Sequence, residues 1–405
     1  MKILIVHRYY WPDRSSCSRI VYEISKYLAK ENNKIDVLTS QPSYGNSDYF
    51  VKLPSTELIN NIHLRRLALP KETSKPLWRL INAIHMGIWI LLKSIWKKYD
   101  IIIATTIPPI LGGFFSAMAS KLTKSNFIYY CMDLNPEIGQ VSKDFSNNIL
   151  FKLLLKIDDW SCQKARLVLV HSKDMLKTLR ARPNGSKYNI DLVNNFSPIT
   201  LIKKSNFNLQ TKLKKNLTII YAGNIGRFQG LETMVDAMAD LVHRQDIIFI
   251  IIGDGVAKKS LVEKVRETGA NVEFFDYQPI EHVKYMIQKA DICLVSLIPK
   301  IYKYSYPSKI MTYLEQGRPI ICSVEKKSEM VKNMILQKYG FYCPSGNRKA
   351  MANLLIKLAG NNKWKKKMNL SALKAFRNNF SSKILLKKWS QIIKSNKMQS
   401  RIIRN

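Results

Sequence analysis

Short apolar runs alternate with helix-period segments along almost the whole chain, and this alternation constrains the fold more than any other feature. Lys2 to Val6, Ile35 to Leu38, Ile101 to Ala104, Phe127 to Cys131 and Leu167 to Val170 read as parallel strands buried on both faces. Between them, Ile20, Val21, Ile24, Tyr27 and Leu28 recur at helical spacing. The pattern lapses around residues 198 to 216, SPITLIKKSNFNLQTKLKKN, a polar and basic stretch suited to a linker. It then resumes with strands at Leu217 to Tyr221, Ile247 to Ile252, Val272 to Phe275, Ile292 to Leu297 and Pro319 to Ser323. Such alternation implies βαβ units and parallel sheets, so an α/β fold with two doubly wound domains, 1–198 and 199–378, is expected. Sheets of this kind bind ligands outside the carboxyl ends of their strands, and two that face each other would share a cleft. The closing segment 379–405 reads as a basic helix with Trp389 on an apolar stripe, expected to pack back on the first domain.

Composition narrows the function. The 405 residues carry 65 Lys and Arg against 29 Asp and Glu, a net charge of +36, yet 46% are hydrophobic and 10% aromatic. That excludes a disordered polycation. Residues 1 to 198 hold 28 basic and 15 acidic residues, and 199 to 329 hold 19 and 14. The remaining 76 residues hold 18 Lys and Arg and no acid, so half of the net charge sits in under a fifth of the chain. Six scattered cysteines without a CxxC support neither a disulfide framework nor a zinc site, and a reducing compartment is expected. The opening MKILIVHRYY lacks the apolar core of a signal peptide, and no run is long and apolar enough to span a bilayer.

Three strand-end loops carry the local chemical signal. In IIYAGNIGRFQGLETMVDAM a strand runs into a helix through Gly223, Gly226 and Gly230, where a backbone without Cβ atoms can approach an anion, and Arg227 adds a charge. The spacing is neither GxGxxG nor a Walker motif, and a plain tight turn stays open. FIIIGDG places Gly253 and Gly255 at a second strand end, and YPSKIMTYLEQGRPI sets Ser308 and Lys309 at a helix start. Together they suggest a diphosphate site, although Lys309 alone also fits a solvated lysine. His7 and His171 end strands and are candidates; His63, His85, His243 and His282 show no metal-ligand spacing.

HRYYWPD at the start, MDLNPE at 132–137, HSKDM at 171–175, VNNFSP at 193–198, GNIGRFQGLE at 223–232, IGDG at 252–255, FFDYQP at 274–279 and PSKIMTYLEQGRP at 307–319 occur in order. Nearly end to end, the chain resembles glycosyltransferase family 4, the retaining nucleotide-sugar transferases of GT-B fold, with two Rossmann-like domains. It is most similar to the bacterial O-antigen and capsule branch that includes the N-acetyl-L-fucosaminyl transferases. The resemblance implies a UDP-sugar donor on the second domain. Gly223, Asn224, Gly226, Gln229, Arg227, Gly253, Gly255, Ser308 and Lys309 would then surround the diphosphate, and the loop after Phe275, with Tyr277, would pack on uracil. Two glutamates common in the family fall on Tyr304 and Thr312; Glu315 comes three residues later as a candidate ribose ligand. The acceptor would lie on the first domain, where Arg14, Ser15 and Ser16 stand in the opening loop with Arg19 beside them, and His171 ends a strand. Asp133 and Glu137 would orient or deprotonate its hydroxyl, while Asp133 also suits a plain turn cap. No cofactor and no metal are implied. Members of this branch act on undecaprenyl-diphosphate-linked saccharides at the inner face of the cytoplasmic membrane. Two alternatives are a GT-B UDP-sugar epimerase and a nucleic-acid-binding protein, the latter unsupported by any recognised motif.

Residues 77 to 96 make an amphipathic helix. At 100° per residue, Leu80, Ile81, Ile84, Ile88, Leu91, Leu92 and Ile95 fall within about 60° of Leu77. Trp78, Trp89 and Trp96 cluster at about 100° to 120°, with Arg79, Lys93 and Lys97 at about 160° to 200°. The expectation is that the aliphatic stripe packs in the core while the Trp and basic edge meets an anionic membrane.

Overall fold

Each apolar run singled out above forms a strand. The computed structural model describes residues 1–13, 15–43, 52–70, 76–141, 148–204 and 216–402. It divides into two units, one of Met1–Asn195, Tyr304–Tyr306 and Lys383–Asn405, the other of Phe196–Lys303 and Pro307–Ser382. Of the proposed linker, residues 205–215 lie outside the described residues.

In the first unit, β1 (Lys2–Val6), β2 (Lys34–Ser40), β3 (Thr56–Ile59), β4 (Ile62–Leu67), β5 (Ile101–Thr105), β6 (Asn126–Cys131), β7 (Leu167–Val170) and β8 (Ile190–Leu192) form one sheet. Its order is β3-β4-β2-β1-β5-β6-β7-β8, and β3 alone runs antiparallel. In the second, β9 (Leu217–Ala222), β10 (Ile247–Ile252), β11 (Val272–Phe275), β12 (Ile292–Ser296), β13 (Ile320–Ser323) and β14 (Gly340–Cys343) follow the order β11-β10-β9-β12-β13-β14. That is the doubly wound order, with its reversal between β9 and β12. The central strands β5, β9 and β10 are buried at every residue, which is why they read as continuous apolar runs. The elements not anticipated are β3, β4, β8 and β14. Three of these are partly exposed edge strands, and in β4 the run is broken by charge: buried Arg66 pairs with Glu57 of β3 at 2.5 Å.

The closing helix, Ser382–Ile402, packs on the first unit. Trp389 is 1% exposed and stands edge-on to Tyr130 at 5.0 Å. Ser390 donates to Glu31, and Lys388 pairs with Asp191.

The helix Pro76–Lys97 corrects an expectation. Its buried face is a mixed one: Met86 and Ile90 are covered together with Asn82, Ala83 and Ser94, and a Cβ on Gly87 would meet the Phe115 ring at 2.1 Å. The helix lies against Leu111–Thr123, whose Phe115 needs that gap. The Leu and Ile stripe is therefore turned outward, with Leu80, Ile81, Ile84, Ile88, Leu92 and Ile95 all exposed. Lys93 and Lys97, expected on a free cationic back, reach Asp36 at 3.6 and 2.8 Å.

Removing the Trp389 ring should open a cavity under the Tyr130 edge. Trp389→Ala is expected to cost about 3 to 5 kcal/mol of stability, read as a lower urea midpoint for the first unit.

Candidate active site

The loops that leave β9 and β10 are interlocked. Gly223 N donates to Ile252 O at 2.9 Å, Ile225 N to Asp254 O at 2.8 Å, and Ala257 N to Ile225 O at 3.0 Å. Gly253 and Gly255 have φ of +145° and +154°. A Cβ at Gly253 would lie 2.1 Å from Gly223 O, and one at Gly255 would lie 2.3 Å from Ile225 O. Only glycine fits at either place. Within the first loop the Asn224 and Gln229 amides close over Gly226, each 2.8 Å from where its Cβ would be, and Gln229 Oε1 is buried without a partner among the described residues. Arg227 is exposed.

Lys309 comes to the same place from the helix Lys309–Glu315. Its Nζ sits 3.6 Å from the centroid of the Tyr221 ring, and its Cε and Nζ are the atoms nearest to a Cβ built on Gly223, at 3.4 and 3.5 Å. Desolvation holds its pKa well below the ordinary lysine range. Tyr313, one turn on, fixes the helix: its hydroxyl accepts from Ala222 N at 2.8 Å and donates to Ala222 O at 3.3 Å. Ser296 Oγ, at the end of β12, donates to Gly230 O at 3.3 Å. The Lys309 amine, two glycine loops and the ends of β9 and β12 thus converge where the strand order reverses. Ser308 occupies the cap position of the Lys309 helix without a side-chain cap bond. Tyr277 follows β11 and is 43% exposed.

Thr312 and Glu315 are drawn to the chain segment that enters the second unit. Ser197 Oγ donates to Glu315 Oε2 at 2.6 Å and lies 3.3 Å from Thr312 Oγ1. Lys284, 1% exposed, reaches the same Glu315 oxygen at 2.7 Å and Pro198 O at 2.6 Å. Glu315 is thus anchored within the second unit through Oε2.

In the first unit the reversal lies between β1 and β5, and His7 stands there with Nδ1 2.7 Å from Thr105 Oγ1. Burial lowers its pKa to about 3, so the ring is neutral. Asp133 follows β6; its amide donates to Thr106 Oγ1 at 3.3 Å and its Oδ1 accepts from Ser305 Oγ at 2.5 Å. Desolvation raises its pKa, partly opposed by the Ser305 hydrogen bond.

Two candidates of the first unit are bonded within the fold. Both Glu137 oxygens are held by buried Arg182, at 2.9 Å each, and Arg182 also pairs with Asp158 at 2.8 Å. His171 Nδ1 lies 2.9 Å from Val193 O and Nε2 lies 3.2 Å from Asn195 Nδ2, so both ring nitrogens are engaged in a site 3% exposed. Burial lowers its pKa to about 4. Ser15 caps the helix Ser16–Lys30, its Oγ accepting from Ser18 N at 3.3 Å. Arg14 and the Ser16 side chain lie outside the described residues.

Tyr221, Tyr313, Thr105, Thr106 and Ser305 were not anticipated. For Tyr313 a signal existed, since it stands four residues after Lys309 and shares its helix face. Among the described residues, no group of three or more His, Cys, Asp or Glu is placed to hold a metal ion.

Residues 216–361 match a family model described as Glycosyl transferases group 1. The chain is 22% identical over 322 residues to WbjE of Pseudomonas aeruginosa, named a glycosyltransferase, covering 76% of this chain and 77% of that one. It is 22% identical over 354 residues to WcaI of Escherichia coli K12, named a colanic acid biosynthesis glycosyl transferase, covering 82% and 85%. Among solved structures, sucrose-phosphate synthase of Thermosynechococcus elongatus superposes with a TM-score of 0.79 at 15% identity, covering 98% of each chain. Anabaena HepE in complex with UDP-glucose gives 0.71 at 14% identity, covering 98% of this chain and all of that one.

Two outcomes follow from the buried charges of the first unit. Glu137→Ala leaves Arg182 half compensated and is expected to cost about 3 to 5 kcal/mol in urea denaturation. His171 is held neutral below its ordinary pKa of 6.5, so its contribution is complete above pH 6.5 and is lost as pH falls towards about 4. The loss approaches ~1.4 kcal/mol per pH unit. His171→Phe should flatten that slope when denaturation is compared at pH 7 and pH 5.

Proposed function

We propose that this chain, a glycosyltransferase of GT-B fold, moves a sugar from a UDP-sugar to a saccharide carried on undecaprenyl diphosphate. The product would enter a bacterial surface polysaccharide, and the anomeric configuration would be retained. The observation that carries the donor assignment is Lys309, an amine without a carboxylate partner among the described residues, set over Tyr221 beside Gly223. The UDP-glucose held by HepE and the biosynthetic name of WcaI agree with it.

In the proposed reaction the bond between the anomeric carbon and the β-phosphate oxygen breaks, and an acceptor hydroxyl oxygen bonds to that carbon on the same face. UDP leaves with the bonding pair. Charge builds on its β-phosphate, where Lys309, Arg227 and the amides of the glycine loops stabilise it. A fixed cation in a desolvated pocket costs no reorganisation as the charge develops. Tyr277 offers a ring to uracil. Of the first unit's carboxylates, Asp133 is the one assigned to the acceptor proton, since burial raises its pKa and a more basic carboxylate is the better general base at neutral pH. The lipid-linked acceptor places the enzyme peripherally at the inner face of the cytoplasmic membrane. The cationic, acid-free closing segment supports this, because anionic headgroups attract such surface.

Incubation with a panel of UDP-sugars and an N-acetylglucosaminyl lipid acceptor, followed by mass analysis of the lipid-extractable product, tests the reading. Absence of any transfer sinks it. Lys309→Ala is expected to lower turnover by about 100-fold or more with little change in fold. A diphosphate beside Lys309 restores the proton that desolvation disfavours, so UDP binding above the depressed pKa should take up a proton. Calorimetry in two buffers of different ionisation enthalpy reads that uptake, and Lys309→Ala should abolish it.

A further inference from the structure

We infer that the outward face of the helix Pro76–Lys97, with the start of the helix Asn148–Lys164, is the surface by which the chain lies on an anionic lipid bilayer. The inference rests on the lipid-linked acceptor proposed above and assigns the residues that meet the membrane. Leu77, Ile88 and Ile95 are 64, 48 and 47% exposed, and Ile149 and Leu153 are 78 and 53% exposed. Both helices pack on Leu111–Thr123, one through Gly87 on Phe115 and the other through Trp160 on Phe114 at 5.3 Å. The exposed aliphatic groups thus belong to one helical layer, whereas isolated exposed Leu or Ile residues would need no explanation.

The charges of that layer select the partner. Asp158 and Asp159 are its carboxylates among the described residues, and both are buried. Asp158 is paired with Arg182, and Asp159 accepts from Gln163 and Asn184. Its exposed charges without a carboxylate partner among the described residues, Arg79, Lys121, Lys152, Lys156 and Lys164, are all cationic, whereas Lys97 is paired with Asp36. A second copy of this chain on a twofold axis would set cations against cations. A bilayer instead offers an apolar interior bounded by anions, which suits an aliphatic stripe with a basic surround. No helix among the described residues is long and apolar enough to cross a membrane, so the helix lies along the interface. Its 22 residues give about 33 Å of contact length.

The test is flotation of the full chain with vesicles of phosphatidylcholine alone or mixed with phosphatidylglycerol. The wild type should float with the mixed vesicles, less with phosphatidylcholine, and less as salt rises. Ile84→Glu with Ile88→Glu should reduce flotation by about tenfold or more, because both side chains would enter the lipid. Both are exposed, so UDP affinity and thermal midpoint should not change; Val262→Glu, on the second unit, should leave flotation unaltered. The surface is refuted if the double variant floats like the wild type, or if the wild type does not float. It is refuted equally if the wild type is a dimer that the double variant dissolves without flotation being affected. The vesicles carry no saccharide, so flotation is independent of the acceptor. A wild type that binds UDP but does not float overturns the surface alone, and a wild type that floats but does not bind UDP overturns the transferase reading alone.

Discussion

The contact between Gly223 and Gly253 governs the second unit's site. Adjacent parallel strands deliver their following loops to one edge of the sheet, and β9 and β10 are adjacent. Their loops can both turn inward only if the backbones touch, and backbones touch only where no Cβ intervenes. Once Gly253 and Gly255 allow that approach, the bonds from Ile225 N to Asp254 O and from Ala257 N to Ile225 O fix the first loop. Lys309 then needs a single further constraint, supplied where the Tyr313 hydroxyl bonds both backbone groups of Ala222. Lys309 is held by strand register, two glycines and one phenol, with no carboxylate partner among the described residues.

The legibility of the chain follows from the same physics. Strands β5, β9 and β10 have neighbours on both sides and helices on both faces, so every residue must be apolar and the run is visible without context. Edge strands such as β8 and β14 satisfy weaker constraints and leave weaker marks. The close backbone approach of the glycine loops was legible because it admits one residue type and because the loops lie next to strand ends. Glu137, His171 and Glu315 share a feature that the sequence does not display: each is paired or bonded by a partner remote in sequence. Arg182 holds Glu137 across 45 residues, and Ser197 reaches Glu315 across 118. A carboxylate or imidazole shows its type in the sequence, but whether its lone pairs are already taken depends on the fold.

The helix Pro76–Lys97 shows a different limit. Its periodicity gives the stripe correctly but not the side that is covered, because amphipathicity is symmetric between burial in a core and exposure to lipid. The deciding signal was the opposite face. Ala83, Gly87 and Ser94 are small, and small residues let a neighbouring helix approach closely. A helix that reserves its small residues for its neighbour has its large aliphatics left for something else.

The same distinction applies to the net charge of +36. Part of the acid-free closing segment is consumed inside the fold, where Lys388 and Lys394 pair with Asp191 and Glu31 of the first unit and Lys365 pairs with Asp291 of the second. Those lysines hold elements in place, and surface pairs of this kind contribute little to attraction at a distance. On the three-helix layer the balance differs, since its two carboxylates are buried and its exposed charges share one sign. A cation whose partner is a protein carboxylate is neutralised on folding, whereas one beside an exposed aliphatic face keeps its field for an external surface. The position of a cation relative to apolar surface, more than the number of cations, therefore determines where this chain can bind an anionic layer.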